Sequence, residues 1–101
     1  MYSVILCTSK RAEAKKIAAV LVKEKLAACV NIVPVDSVYR WKGKLVKNRE
    51  SLMVIKTKSS LFNRLKKRIR SLHSYTVPEI IELKISKGDK KYLRWVGLST
   101  R

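Results

Sequence analysis

The chain is poor in acidic residues, histidine, glycine and proline. Its 101 residues include seven Asp and Glu, one His, three Gly and two Pro. So few glycines and prolines argue against flexible linkers and low-complexity tails. With one histidine there is no Ser-His-Asp set, and we find no paired-carboxylate site, phosphate-binding glycine loop or dense zinc motif. We therefore expect one small domain, residues 1–101, that is not an enzyme.

Long apolar runs are also missing. No stretch reaches the roughly 18 apolar residues that cross a bilayer, so we expect no membrane segment. The start, MYSVILCTSKR, lacks the basic region and cleavage signal of a secretory peptide. Cys7 and Cys29 lie in apolar, strand-like runs. We therefore expect a cytoplasmic protein in which both cysteines are reduced thiols.

Positive charge is what the chain has in excess. Its 24 Lys and Arg give a net charge of +17. Such a charge suits a polyanionic partner, such as nucleic acid or an anionic membrane surface. The cations are spread along the chain, however, which equally suits a solvated basic surface with no dedicated partner.

The first half of the chain predicts a strand, a helix and the start of a long hairpin. Tyr2–Thr8 is apolar and β-branched, which favours a strand. An amphipathic helix follows, with Ser9 as its N-cap and its end near Lys25. A strand over residues 28–41 is interrupted by Pro34, which marks a bulge, a bend or an edge position.

The second half completes the hairpin and adds a helix, a strand and a short helix. Gly43 supplies the turn, and Ser51–Thr57 is the most apolar part of the return strand. Ser59 or Ser60 caps a second helix, which has an apolar stripe and a basic side. Residues 79–86 alternate as a strand, and Asp89 caps a short terminal helix.

The resulting order, β-α-β-β-α-β and a short helix, is that of the ferredoxin-like fold. This α+β architecture covers one face of an antiparallel sheet with two helices. The connector His73–Ile80, read as HSYTVPEI, joins the second helix to the last strand. It carries the one histidine together with Tyr75 and Glu79, and scarce polar groups on a short connector point to a functional site.

Six blocks of sequence resemble the CutA family of divalent-cation-tolerance proteins. They are LCTS, LAACVNIVP, VYRWKGKL, the strand ending in IKT, HSYTVPEI and YLRWV, in the same order over essentially the whole chain. The resemblance implies the ferredoxin-like fold and a soluble homotrimer in which long bent hairpins join sheets across subunits. It also implies a role in the response to copper and other divalent metal ions, with no established catalysis and no obligatory cofactor.

The resemblance further implies a metal site at Cys7, His73 and Glu79. These are the family's proposed cysteine of the first strand, histidine of the second helix and glutamate of the PEI motif. Thiolate, imidazole and carboxylate suit copper or zinc, and we expect weak binding of copper or another divalent cation. Two residues depart from the family pattern: Ser74 replaces the usual proline, and Leu72 stands where some members have a second histidine.

Each of these three residues also has a structural interpretation. Cys7 equally suits a small buried core residue. His73 suits a helix-end histidine that bonds the carbonyls of the last turn. Glu79 suits an ion pair with a neighbouring cation such as Lys56.

Three aromatic residues, Tyr39, Trp41 and Tyr75, either line a cleft for a small ligand at a subunit interface or pack within an interface or core. Two other functions stay open. One is a trimeric sensor that binds a small anionic ligand between subunits, which the positive charge favours. The less favoured one is non-specific nucleic-acid binding through the basic second helix, since the sheet lacks the exposed aromatic residues of RNA-recognition modules.

Overall fold

Four strands and three helices follow one another in the predicted order in the computed structural model, which describes residues 1–101. The strands are β1 (Tyr2–Ser9), β2 (Cys29–Trp41), β3 (Lys44–Lys58) and β4 (Ile80–Lys84). The helices are α1 (Arg11–Lys23), α2 (Phe62–Leu72) and α3 (Lys90–Leu98), and a 3-10 turn at Ser59–Leu61 leads into α2. The predicted ferredoxin-like order is confirmed. None of the helices has the length and hydropathy required to cross a membrane.

The sheet is antiparallel throughout, with the strand order β2-β3-β1-β4. The first strand is central, because it pairs with β3 on one side and with β4 on the other. Burial along β1 alternates strictly, and the buried positions include Ile5 and Cys7. This alternation matches a strand with one face on the core.

The hairpin of β2 and β3 is long and regular. Its register runs from Cys29 opposite Lys56 to Trp41 opposite Lys44 without an unpaired residue. Pro34 pairs within this register, and β2 bonds no strand besides β3. Of the three alternatives for Pro34, the structure therefore shows the edge position, where a missing N–H is tolerated. The part of the hairpin from residue 35 to residue 50 lies beyond the end of β1 and projects from the domain.

The core lies between the sheet and the helices α1 and α2. Eleven buried apolar residues form one cluster: Ile5, Cys7, Ala14, Ile17, Leu21, Leu26, Ala27, Met53, Ile55, Leu65 and Ile69. Apolar side chains also lie on the opposite face of the sheet, where Ile81 and Leu83 of the edge strand β4 are about half exposed. The molecule therefore has one closed apolar layer and one apolar sheet face that α3 covers only in part.

The predicted helix caps are only partly correct. Asp89 caps α3 as predicted, since its carboxylate accepts a hydrogen bond from the N–H of Tyr92. Ser9 is instead the last residue of β1, and its hydroxyl donates to the carbonyl of Lys10. Ser59 and Ser60 lie in the 3-10 turn, and neither caps α2 by a side-chain hydrogen bond. Strand pairing and the turn take priority over the capping preference of a serine side chain.

Candidate functional site

A cavity of about 640 Å³ lies between the hairpin and the connector that precedes β4. Its lining includes Thr8 of β1, Tyr39, Trp41 and Glu50 of the hairpin, and Tyr75 and Glu79 of the connector. None of its eleven lining residues is Lys or Arg, although these make up 24 of the 101 residues. This large cavity therefore has no basic side chain in its lining, although the molecule as a whole is strongly basic.

His73 fixes the connector against the sheet. The residue ends α2 in an extended conformation, and its ring Nε2 lies 2.7 Å from the carbonyl oxygen of Thr8. The ring Nδ1 accepts a 3.0 Å hydrogen bond from the N–H of Tyr75. An Nδ1 that accepts leaves the proton on Nε2, which then donates to Thr8. The side chain thus bonds β1 and the connector, and the prediction that it bonds the last carbonyls of its own helix is wrong.

Glu50 is the site residue that the sequence analysis missed. It is 4% exposed, and its Oε2 accepts a 2.6 Å hydrogen bond from the hydroxyl of Tyr75. Partial burial and this hydrogen bond raise the pKa of the Tyr75 phenol above its ordinary value. The available signal was scarcity, since Glu50 is one of only seven acidic residues and the only one in β3.

Glu79 lies at the exposed rim of the same cavity. Partial desolvation of its carboxyl group, followed by the negative charge of Glu50, raises its pKa. The proposed ion pair with Lys56 is not formed, because the Lys56 ammonium donates to the side chain of Asn31 and to the carbonyl of Val54. Two carboxylates that have no cationic partner therefore act on each other in the cavity.

Cys7 lies behind this cavity, in the core. It is fully buried, and its thiol makes only a weak 3.7 Å contact with the carbonyl oxygen of Thr8. Burial, then Glu79 and then Glu50 raise the pKa of the Cys7 thiol to about 12, so the thiol is protonated at neutral pH. Its interpretation as a core residue is confirmed by its place in the apolar cluster. Cys29 is partly exposed, and both cysteines are free.

The three predicted metal ligands therefore gather at one end of the sheet without forming a ready coordination sphere. No group of three or more His, Cys, Asp or Glu is arranged to hold a metal ion. Both nitrogens of His73 are engaged within the fold, and Cys7 holds its proton. Ligation by Cys7, His73 and Glu79 stays a prediction, with Glu79 the most available of the three.

The predicted aromatic cleft coincides with the cavity. Tyr39, Trp41 and Tyr75 all line it, and Trp41 is 45% exposed. Tyr75 also packs its ring against that of His73, with 4.7 Å between centroids. The sequence thus identified the aromatic side of the cavity and the rim carboxylate, but not its buried carboxylate.

A second cavity, of about 330 Å³, has the opposite character. It lies beside α2 and is lined by Arg64, Lys67, Arg68 and Arg101, with Glu24 the only acidic residue. Glu24 is held by Arg68 through two hydrogen bonds of 2.9 Å. The remaining cations face this cavity without a carboxylate partner, which suits an anion.

Comparisons of the sequence and of the structure with known proteins point to the same family. The family model described as CutA1 divalent ion tolerance protein matches residues 2–99. The divalent-cation tolerance protein CutA of Thermus thermophilus is 48% identical over 102 residues, which cover 99% of each chain. A solved structure of divalent cation tolerance protein (Cut A1) from the same species aligns over 100% of both chains with a TM-score of 0.96 and 47% identity.

Other similar proteins carry names that place them in different cellular compartments. The chloroplastic protein CutA of Arabidopsis thaliana is 48% identical over 99 residues, which are 97% of this chain and 54% of that protein. The structure of a periplasmic divalent cation tolerance protein CutA from Archaeoglobus fulgidus aligns over 98% of both chains with a TM-score of 0.96 and 38% identity. Because the compartments in these names differ, the cytoplasmic location stays a prediction.

Proposed function

The chain belongs to the CutA1 divalent ion tolerance family, and from that membership we propose that it acts as a homotrimer that binds a divalent cation weakly in the large cavity. The observation that carries the metal proposal is the pair Glu50 and Glu79. These two carboxylates share a cavity that no Lys or Arg lines, in a chain whose net charge is +17.

The electrostatics of the pair favour a bound cation. Desolvation and Glu50 hold the pKa of Glu79 above its ordinary value, so the charged form is disfavoured while the cavity holds no positive charge. A divalent cation between the two groups would remove that penalty. The repulsion from the rest of the chain reaches only about 8 Å at physiological salt, so it does not prevent local binding.

The ligand types indicate which ions bind and how tightly. Two carboxylates favour an oxygen-preferring cation and leave several positions to water, which makes binding weak. Copper prefers imidazole, and His73 can bind it only if Nδ1 releases the N–H of Tyr75. His73 is thus a positioning residue in this proposal. With its one imidazole engaged in the fold, we propose no catalytic role for the chain.

The shape of the subunit supports the homotrimer. Its accessible surface is 6918 Å². A compact monomer of this mass is expected to expose about 5,800 Å². Its radius of gyration of 14.0 Å likewise exceeds the about 13 Å expected for this length. The projecting hairpin, the partly covered apolar sheet face and the two free sheet edges contribute to the excess, and neighbouring subunits would cover them.

Calorimetric titration with MnCl₂, ZnCl₂ and CuCl₂ tests the metal proposal. We expect Glu79→Gln to weaken binding of at least one ion tenfold or more. Asp36→Asn is the matched control, because it removes the same charge from the exposed hairpin outside the cavity. Equal affinity in wild type and Glu79→Gln would refute the carboxylate site. Light scattering after gel filtration tests the trimer, and a monomeric mass at micromolar concentration would contradict it.

The second cavity favours an anionic ligand as an alternative function. Arg64, Lys67 and Arg101 supply positive charge there, whereas the large cavity supplies none. A titration with inorganic phosphate, repeated on Lys67→Gln, tests this alternative. The prediction that nucleic-acid binding is unlikely stays untested, and a gel shift at physiological salt would test it.

A further inference from the structure

We propose that the large cavity is a binding site for a small organic cation, an amine or a quaternary ammonium compound. Its aromatic wall is formed by Tyr39, Trp41 and Tyr75, and its negative charge comes from Glu50 and Glu79. The inference goes beyond the metal proposal and does not require that a metal ion bind.

The size of the cavity fits an organic molecule better than a metal ion. Its volume of about 640 Å³ falls within the roughly 300–1,000 Å³ typical of small-molecule sites. A water molecule occupies about 30 Å³, so an ion with six waters fills only about 180 Å³. Most of the cavity is therefore surplus to what a hydrated metal ion needs.

The composition of the lining specifies positive charge on the ligand. The chain has four Tyr, two Trp and one Phe, and three of these aromatic residues line this one cavity. The face of an aromatic ring carries negative potential and attracts cations, with Trp the strongest. Glu50 and Glu79 add formal negative charge on the same lining.

The protein does not fill this cavity with a cation of its own. Elsewhere in the chain the Lys66 ammonium lies 5.6 Å from the centre of the Phe62 ring, which provides an internal cation–π contact. Within the subunit no Lys or Arg lines the large cavity, so its rings and carboxylates have no such partner from their own chain. An anionic ligand would be repelled there, and a neutral one would leave the carboxylates uncompensated.

Choline, its neutral isostere 3,3-dimethyl-1-butanol and the anion 3,3-dimethylbutyrate provide a test on the unmodified protein. The three probes share a branched head of nearly equal size and differ in charge. By calorimetry, with a metal chelator present, we expect choline to bind at least tenfold more tightly than the alcohol, and the acid not to bind. Equal binding of choline and the alcohol, or no binding of choline, would overturn the inference.

Two tryptophans of equal exposure supply a matched pair of variants. Trp41 lines the cavity and Trp95 does not, and each is 45% exposed. We expect Trp41→Leu to weaken choline binding fivefold or more, Trp41→Phe to retain most of it, and Trp95→Leu to leave it unchanged. Equal losses in the two leucine variants would contradict the assignment.

The metal and organic-cation proposals can fail separately. Choline binding in a protein that binds none of the three metal salts would support this inference and refute the metal proposal. If metal binding is lost in Glu79→Gln and choline does not bind, the metal proposal is supported and this inference is refuted. Should Trp41→Leu fail to assemble, the comparison of the three probes on wild type decides the question alone.

Discussion

The phenol of Tyr75 donates a 2.6 Å hydrogen bond to the carboxylate of Glu50, across 25 residues of sequence. This contact joins the connector to the hairpin and satisfies a carboxylate that is 4% exposed. Removing the donor should lower stability, because leaving a buried hydrogen-bond acceptor without a partner costs about 1–3 kcal/mol. We expect Tyr75→Phe to lower the free energy of unfolding by that amount in urea at fixed protein concentration.

Tyr39→Phe is the control for this change, since the Tyr39 hydroxyl makes no hydrogen bond within the chain and the residue is 38% exposed. Its effect should stay within about 0.5 kcal/mol. In addition, the cost of Tyr75→Phe should shrink in a Glu50→Gln background, because a neutral amide is less costly to leave unpaired than a carboxylate. Equal costs for the two Tyr→Phe changes would contradict the role of this hydrogen bond.

Glu79 and Glu13 should respond to pH in opposite ways. The pKa of Glu79 is raised, so its charged form weakens the fold, and Glu79→Gln should be more stable than wild type at pH 7. That advantage should disappear as the pH falls through the raised pKa, where Glu79 becomes protonated. Thermal unfolding with a metal chelator present measures the difference.

Glu13 provides the opposite case. A hydrogen bond from Ser74 lowers its pKa, and the N–H of Ser74 lies 3.4 Å from its Oε1. Glu13→Gln should therefore be less stable than wild type at neutral pH, with the difference lost as the pH falls through the lowered pKa. Two variants that respond to pH with the same sign would refute this assignment of environments.

Alkylation should separate the two cysteines. With a pKa of about 12 for Cys7, the thiolate fraction at pH 8 is about 10⁻⁴, and the residue has no exposed surface. Cys29 is partly exposed. We expect iodoacetamide to modify Cys29 alone in the native protein and both residues in guanidinium, as measured by peptide mass spectrometry. Modification of Cys7 at a comparable native rate would contradict its burial.

Gly97 tests the packing of α3 against the first strand. An added Cβ would lie 2.9 Å from the hydroxyl of Tyr2, although alanine favours a helix interior by about 1 kcal/mol over glycine. When Tyr2 is present, Gly97→Ala should therefore raise stability little or lower it. In a Tyr2→Phe background, where the closest remaining atom is 3.5 Å away, it should gain up to about 1 kcal/mol in urea unfolding. An equal effect in both backgrounds would refute the contact.

The sequence predicts the order of the elements, the Asp89 cap and the aromatic side of the cavity because each depends on local periodicity or composition. The burial of Glu50 could not be predicted, since the connector covers it only after α2 and β1 are in place. The same holds for His73, whose two ring nitrogens are engaged by partners that only the folded chain brings together. For Ser9 the local signal was misleading, because its preference for a helix cap is weaker than its pairing with Ser51 in the sheet.

The central place of β1 in the sheet has a consequence for the nascent chain. This strand precedes its two neighbours in the chain, and it receives the second one only when β4 pairs residues 80–84 with residues 3–7. The hairpin, by contrast, joins residues adjacent in sequence and can form early. The connector is anchored at one end by β4, so the cavity is completed only after β4 has been synthesised. A free chain that ends before residue 80 would therefore form the hairpin but not the binding site.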